Sequence, residues 1–167
     1  MAVPRAERMH EGAAAIALQS RSLRGPVACV DLETTGGMAA HHRVIEVGIV
    51  LLEQGEIVEE WSTLVHPGIR IPSSIAAFTG IDDSMVAEAP PFADVVQEVR
   101  RRLEGRLFVA HNARFDYGFL RAEFRRLGVK FAAPVLCTVK LSRALYQEHA
   151  RHNLDTLMDR FGLSCMA

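Results

Sequence analysis

Residues 27–37 of this chain read VACVDLETTGG, an apolar run that turns abruptly polar. The run 27–30 is typical of a buried β-strand, and the polar residues after it mark the strand's end. Residues two apart in a strand point to the same side, so the carboxylates of Asp31 and Glu33 leave this strand end together. Two like charges this close repel unless a cation lies between them. Carboxylate oxygens of this kind suit hard divalent ions such as Mg²⁺ or Mn²⁺.

The residues after these acids bear on whether the pair is functional. Thr34, Thr35 and Gly36 are small, which lets the backbone and hydroxyl groups approach a ligand closely. The alternative is a solvated strand end before a Gly-Gly turn, where aspartate is common.

A second strand end carries polar residues in the sequence FVAHNARFD, residues 108–116. Asp116 lies one turn into the helix that follows, so its side chain can return toward the same edge of the sheet as the first acids. Ligands of open α/β sheets gather beyond the carboxyl ends of strands. The alternatives are that Asp116 only complements the helix dipole, and that His111 and Asn112 form a turn and a helix cap.

The remaining elements indicate one α/β domain. Strands at 44–52 and 57–65 are joined by a hairpin-length connection that contains Gly55. We expect a short helix capped by Ser73 or Ser74 and ending near Gly80. Later segments alternate helix and strand: helices at 92–103, 113–127, 140–146 and 153–161, and apolar strands at 107–110 and 134–136. Strands first and alternation later predict a mixed sheet covered by helices.

Composition excludes several classes of protein. The chain has 167 residues, which is enough for one globular domain. Because 49% of them are hydrophobic, the chain is not disordered as a whole. No apolar run is long enough to cross a membrane, and three separated cysteines favour neither a zinc site nor disulfides. We expect a cytoplasmic protein with an N-terminal extension at residues 1–25 and a domain at 26–167. The apolar patch Gly12 to Leu18 is interpreted as a frayed or helical part of the extension.

The charge is unevenly divided, although the net charge is only −1. Residues 99–151 hold 12 basic and 4 acidic residues, a formal charge of +8, and the rest of the chain carries −9. A basic half suggests a polyanionic partner, because Lys and Arg neutralise phosphates. The alternative is that arginines such as Arg100, Arg125 and Arg126 are solvated helix faces.

Several ordered motifs resemble one family. Residues 30–36, VDLETTG, resemble the first motif of the DnaQ-like, DEDD-type 3′–5′ exonucleases, which include the proofreading epsilon subunit of bacterial DNA polymerase III; residues 111–116, HNARFD, resemble the second. Residues 43–48 are similar to the family's second strand and 78–81 to its substrate-side turn. Residues 153–163 resemble the helix just before the third motif. The resemblance implies an RNase H-like fold with a five-stranded mixed sheet and helices on both faces.

The resemblance also implies a two-metal hydrolysis that releases nucleoside 5′-monophosphates from DNA 3′ ends in proofreading or repair. It makes Asp31, Glu33 and Asp116 the ligands of two Mg²⁺ or Mn²⁺ ions. The resemblance implies that the terminal nucleotide is contacted by Thr34, Thr35, Thr79, His111, Asn112 and Phe115. Phe115 is alternatively a core residue of its helix. The implied partner is nucleic acid, with single-stranded DNA 3′ ends foremost.

The family's third motif, a His followed five residues later by Asp on a C-terminal helix, is not found. His152 is followed five residues on by Leu157, and Asp155 sits at a structural helix start. We therefore expect a partial version of a longer chain, without the last catalytic helix. Cys137 precedes Thr138 at a point where many relatives carry Asp, and this departure resembles a branch of the family that is joined to an excision-repair type nuclease domain. The protein partners implied are therefore such a fused nuclease domain or a DNA polymerase subunit.

Two alternatives to the DNA exonuclease remain open at this level. One is a catalytically incomplete module of the same fold that binds nucleic acid or a polymerase. The other is an RNA 3′-end trimming relative, which differs in its use of the 2′-hydroxyl.

Overall fold

A computed structural model describes residues 25–163, which are built around a five-stranded mixed sheet. The strands are β1 (Val27–Thr34), β2 (Val44–Glu53), β3 (Glu56–Leu64), β4 (Leu107–Ala110) and β5 (Val135–Cys137). Their order across the sheet is β3-β2-β1-β4-β5. β1 and β2, and β2 and β3, are antiparallel, whereas β4 is parallel to both of its neighbours. The expected five-stranded mixed sheet is confirmed.

Six helices surround this sheet within the described residues. They are α1 (Ser73–Thr79), α2 (Asp83–Val86), α3 (Phe92–Leu103), α4 (Arg114–Arg126), α5 (Thr138–Leu145) and α6 (Leu154–Phe161). None of the helices within residues 25–163 combines the length and apolar character required to cross a membrane.

The first strand is longer than the sequence indicates. It does not stop at residue 31 but continues through Asp31 and Glu33 to Thr34. Its polar end stays in the sheet because β2 pairs with it, Asp31 facing Gly48 and Glu33 facing Glu46. An irregularity in register between Glu33 and Thr34 ends the regular pairing, and such bulges often re-aim side chains next to active sites.

The two faces of β1 have different environments. Ala28, Val30 and Leu32 join the main core, which also contains the buried residues of α3 and α4. Val27 contacts a smaller apolar cluster on the other face, against which Leu141 of α5 packs. Asp31 and Glu33 have the same parity in the strand as Val27, so they project on the face opposite the main core.

Three local expectations are corrected or fall outside the described part of the chain. The N-cap of α1 is Pro72 rather than Ser73 or Ser74, because Pro72 has extended backbone angles and Ser73 is already helical. The sequence interpretation missed α2, whose N-cap Asp82 accepts hydrogen bonds from the backbone N–H groups of Ser84 and Met85. The patch Gly12 to Leu18, and residues 1–24 as a whole, lie outside the described residues.

Candidate active site

A cavity of about 300 Å³ opens where the carboxyl ends of β1 and β4 meet the N-terminus of α4. It gathers eight of the nine residues that the sequence singles out, although they come from three separate stretches of the chain. They are Asp31, Glu33, Thr34, Thr79, His111, Asn112, Phe115 and Asp116. The two strand ends and the following helix therefore form one site, as their position at one edge of the sheet predicts.

Asp116 is the most perturbed acid of the cavity. Asp116 is only 3% exposed to solvent, and the charged side chains that share its cavity include two further acids, Asp31 and Glu33. Burial, followed by the negative charges of Asp31 and Glu33, raises the pKa of the Asp116 carboxyl from 3.8 to about 7. Backbone N–H groups of Asp116 and Leu32 act in the opposite direction and favour the charged form. A buried acid among like charges is typical of a functional site rather than of a structural ion pair.

The pKa of Glu33 is also raised, in part by a residue that sequence reasoning did not assign to the site. Burial is the main cause that raises the pKa of Glu33, and the charges of Asp31 and Glu46 add to it. Glu46 is the residue of β2 that faces Glu33 across the antiparallel pair. The pairing register of β1 and β2 could have identified Glu46 from the sequence. That register could not be assigned, because the sequence ends β1 too early.

The two threonines after the acids have different positions. Thr34 lines the cavity, and its hydroxyl donates a hydrogen bond to the carbonyl of Gly36 at 2.9 Å. Thr35 is fully buried, and its hydroxyl accepts a hydrogen bond from the backbone N–H of Arg43 at 3.0 Å. The expected contact between Thr35 and a substrate is therefore not supported by its placement, because its side chain fastens the start of β2 to the end of β1.

The turn between β4 and α4 presents two polar side chains to the cavity. Asn112 has a φ of 67°, in the left-handed region that asparagine tolerates better than most residues. His111 lies beside it, and its Nδ1 is 2.9 Å from the hydroxyl oxygen of Thr138 in α5. Burial lowers the pKa of His111. The imidazole is therefore disposed to be neutral and can act as a hydrogen-bond partner without adding positive charge.

The opposite wall of the cavity comes from α1. The hydroxyl of Thr79 donates to the carbonyl of Ile75 at 3.0 Å and accepts from the N–H of Ile81 at 3.1 Å. Phe78 lines the same cavity and is 85% exposed, which is unusual for a phenylalanine in a described helix. Sequence reasoning placed Phe78 only in a turn motif. Its position one residue before the assigned Thr79 was the available signal.

Phe115 lies between the main core and the cavity. Its ring packs against Phe119, with 4.8 Å between ring centroids, and it belongs to the edge of the main core. It also lines the cavity. Part of the ring therefore packs in the core, and the remainder lines the cavity.

The cavity's donor set suits a hard cation in its chemistry, since Asp31, Glu33 and Asp116 supply only oxygen ligands. The raised pKa values of Glu33 and Asp116 show acids that lack a compensating positive charge. Within residues 25–163, however, no three or more His, Cys, Asp or Glu side chains are close enough to hold a metal ion as they stand. The residues fit a divalent ion by type and by electrostatics, and closing the ligand set requires their side chains to move together.

His149 and His152, the two histidines closest in sequence to where the third motif is expected, do not line the cavity. Nδ1 of His152 is 2.8 Å from the hydroxyl of Ser142, and its Nε2 is 2.9 Å from the carbonyl of His149. Asp155 is exposed in the first turn of α6. This placement agrees with a structural helix start at Asp155.

Comparison with known proteins identifies the family of the chain. A family model described as "Exonuclease" matches residues 28–165. A DNA polymerase III of PolC type from Caldanaerobacter subterraneus subsp. tengcongensis is 40% identical over 140 residues, which is 84% of this chain and 10% of that protein. The PolC-type polymerase of Bacillus subtilis is 36% identical over 135 residues, or 80% of this chain and 9% of the relative. The chain thus spans about a tenth of the length of these relatives.

Two solved structures share the architecture. Exonuclease X in complex with 5′ overhanging duplex DNA is 27% identical, with a TM-score of 0.69, over 84% of this chain and 76% of that one. A product-bound exonuclease I is 15% identical with a TM-score of 0.75, covering 84% of this chain and 39% of that one, which supports the fold alone. The RNase H-like exonuclease fold is therefore confirmed. The relatives carry the PolC-type name, so they do not support the narrower resemblance to a separate epsilon subunit.

Proposed function

The chain belongs to the exonuclease family, and from this premise we propose that it hydrolyses phosphodiester bonds at DNA 3′ ends and releases nucleoside 5′-monophosphates. The observation that carries the proposal is the convergence of Asp31, Glu33 and Asp116 on one cavity. A phosphodiester is an anion, and three uncompensated carboxylates repel it. The site therefore works on phosphate only with cations bound between the acids and the substrate.

We propose that Asp31, Glu33 and Asp116 would hold two divalent ions, Mg²⁺ or Mn²⁺. Such ions would supply an activated water molecule and would neutralise charge on the phosphate and on the leaving 3′ oxygen. Asp116 contributes as a carboxylate, so cation binding must lower its pKa from about 7 and release its proton. Glu46 adds negative charge beside Glu33 and strengthens the attraction for cations without lining the cavity itself.

The rest of the cavity wall holds the terminal nucleotide in this proposal. The hydroxyls of Thr34 and Thr79 already donate to backbone carbonyls, so they can only accept from the sugar hydroxyl. The side chains of His111 and Asn112 are available to the sugar and the phosphate. The exposed ring of Phe78 offers a surface on which a base can stack, and such stacking tolerates any base. This arrangement favours an unpaired 3′ end, because an unpaired base is free to turn out of the strand's own stack and onto the ring.

The direct test is release of mononucleotides from a single-stranded DNA labelled at its 3′ end, in Mn²⁺. We expect Asp31→Ala to reduce release by about a thousandfold, since loss of metal-ion stabilisation is worth several kcal/mol of activation energy. The matched control is Asp94→Ala, because Asp94 is an exposed acid in the first turn of α3. Equal release by the parent and Asp31→Ala would contradict the proposal.

The biological setting extends the proposal through the relatives. The PolC-type relatives are DNA polymerases, so we propose a replication-linked proofreading or repair role in the cytoplasm, beside a polymerase or a fused nuclease domain. Pull-down of the chain with the replicative polymerase of its own cell would test this partner. A chain that acts on free 3′ ends and never co-purifies with a polymerase would contradict it.

A second function, a non-catalytic module that binds DNA 3′ ends, is favoured by one observation. Within the described residues the acids do not form a closed set of three ligands. Fluorescence anisotropy with a labelled single strand separates the two functions. DNA binding without mononucleotide release in Mn²⁺ or Mg²⁺ favours the module, whereas release that depends on Asp31 favours the enzyme.

A further inference from the structure

The acidic cavity does not end at its own walls but continues along the outer side of α4. It shares Gly37, Asn112 and Phe115 with a second cavity, which in turn shares Ala39, Arg114 and Gly118 with a third. The third cavity has a volume of about 920 Å³ and lies between α4 and the segment that follows it. The three cavities form one continuous groove that leads away from the acids.

The charge of this groove is the opposite of that of the acidic cavity. Its far part is lined by four cationic side chains and by no aspartate or glutamate: Arg114, Arg121, Arg125 and Lys130. All four are exposed, and within residues 25–163 none of them forms an ion pair. The arginines of α3 differ, since Arg100, Arg101 and Arg102 each pair with a glutamate. The arginines of α3 are therefore neutralised by glutamates, whereas the cations of the groove remain available to an anionic ligand.

The spacing of the cations along α4 fits a linear polyanion. Residues 114, 118, 121 and 125 follow each other at intervals of three or four, so they lie along one side of the helix. At 1.5 Å per residue the stripe is about 16 Å long, enough to follow several consecutive phosphates of one strand. Gly118 leaves the middle of the stripe without a side chain.

Aromatic rings accompany these cations. Tyr117 and Phe131 line the same cavity, and the guanidinium carbon of Arg121 is 5.9 Å from the centroid of the Tyr117 ring. Both rings also pack against the main core, so they add an apolar wall beside the cations. Proteins that bind single-stranded nucleic acids combine a positively charged groove with aromatic side chains.

We infer that this groove binds the sugar-phosphate backbone of the nucleic-acid strand whose 3′ end lies in the acidic cavity. The inference rests on the proposed function for the position of the 3′ end. Arg114 lies at the junction with the site, and Arg121, Arg125 and Lys130 bind phosphates progressively further from the scissile bond. The groove sets affinity for longer strands, whereas the acidic cavity performs the chemistry.

The test compares strands that fill only the cavity with strands that also reach the groove. Fluorescence anisotropy measures binding of an oligothymidylate trinucleotide and a dodecanucleotide to the 167-residue chain over a range of KCl concentrations. An Asp31→Asn background prevents degradation of the probes. The groove variant is Arg121→Ala with Arg125→Ala. The control is Arg70→Ala with Arg100→Ala, which removes the same charge from two exposed arginines outside the groove.

We expect the groove variant to bind the dodecanucleotide about tenfold more weakly and to reduce the slope of log affinity against log salt by about 1.4. The trinucleotide should change less than about twofold, and the control pair should match the parent. Equal weakening by the groove and control variants, equal weakening of both strands, or no weakening would each overturn the inference. Mononucleotide release is measured separately with Asp31 intact, so failure of the proposed function leaves this binding result interpretable.

Discussion

Asp116 and Arg102 are both buried charged residues, 3% and 6% exposed, yet their surroundings are opposite. Arg102, in α3, places its guanidinium 2.6 Å from a carboxylate oxygen of Glu59 and 2.6 Å from one of Glu98. Its guanidinium carbon also lies 4.3 Å from the centroid of the Trp61 ring. Asp116 instead has Asp31 and Glu33 as its charged neighbours, and both raise its pKa.

The contrast separates a charge that holds the fold together from a charge that serves the site. Arg102 joins α3 to β3 through opposite charges and an aromatic face, so burial of its charge is compensated inside the fold. Asp116 has no such compensation among the described residues, and its burial costs stability until a proton or a cation is bound. A buried charge surrounded by like charges therefore marks the site more sharply than burial alone.

Removing the compensated charge should have the larger effect on stability. We expect Arg102→Ala to lower the free energy of unfolding by about 3 kcal/mol, because two glutamates lose their partner and Trp61 loses its packing neighbour. Urea denaturation measures the loss. The control is Arg101→Ala, which removes an exposed arginine from the same turn and should cost less than about 1 kcal/mol. Equal losses would show that Arg102 is not compensated as described.

Removing the uncompensated charge should have the opposite sign. The pKa of Asp116 is raised in the folded chain, so the folded state holds an extra proton between about pH 4 and pH 7 and loses stability as pH rises through that window. In EDTA, Asp116→Asn should be more stable than the parent by roughly 2 kcal/mol near pH 8 and about equal to it near pH 4. Urea denaturation at the two pH values measures the difference.

The exposed Asp94→Asn variant serves as control and should match the parent at both pH values. Addition of Mn²⁺ near pH 8 sharpens the result. The parent should gain about 1.4 kcal/mol at a tenfold excess over its dissociation constant, and Asp116→Asn should gain less. If the stability gain of Asp116→Asn were the same at both pH values, titration of this carboxyl would not be its cause.

The smallest effect distinguishes the two neighbouring threonines at the boundary of the acidic site. Thr35→Val should lower the free energy of unfolding by about 1 kcal/mol, because the backbone N–H of Arg43 loses its hydrogen-bond acceptor. Binding of an oligothymidylate trinucleotide should stay unchanged. The matched variant Thr34→Val changes a side chain that lines the cavity, and it should weaken that binding. Weaker trinucleotide binding by Thr35→Val alone would return Thr35 to the substrate site.

The sequence by itself determined that two strands lead into acidic and polar residues, and it predicted the order of the elements other than α2. It ended β1 too early. The apolar run that opens β1, the hairpin spacing around Gly55 and the apolar spacing of α3 are local patterns, and local backbone geometry decides them. The resemblance of residues 30–36 and 111–116 to exonuclease motifs added the family, which the family match over residues 28–165 confirms.

Only the tertiary structure decided what surrounds each of these side chains. The sequence shows Thr34 and Thr35 as equivalent neighbours, yet pairing with Arg43 removes Thr35 from the cavity. Glu46 and Phe78 join the surroundings of the acids from β2 and α1. A count of charges shows a basic half. Only packing separates the arginines of α3, which pair with glutamates, from Arg114, Arg121 and Arg125 of α4, which form no ion pair within the described residues. The physical reason is that burial and charge pairing arise from contacts between segments far apart in the chain.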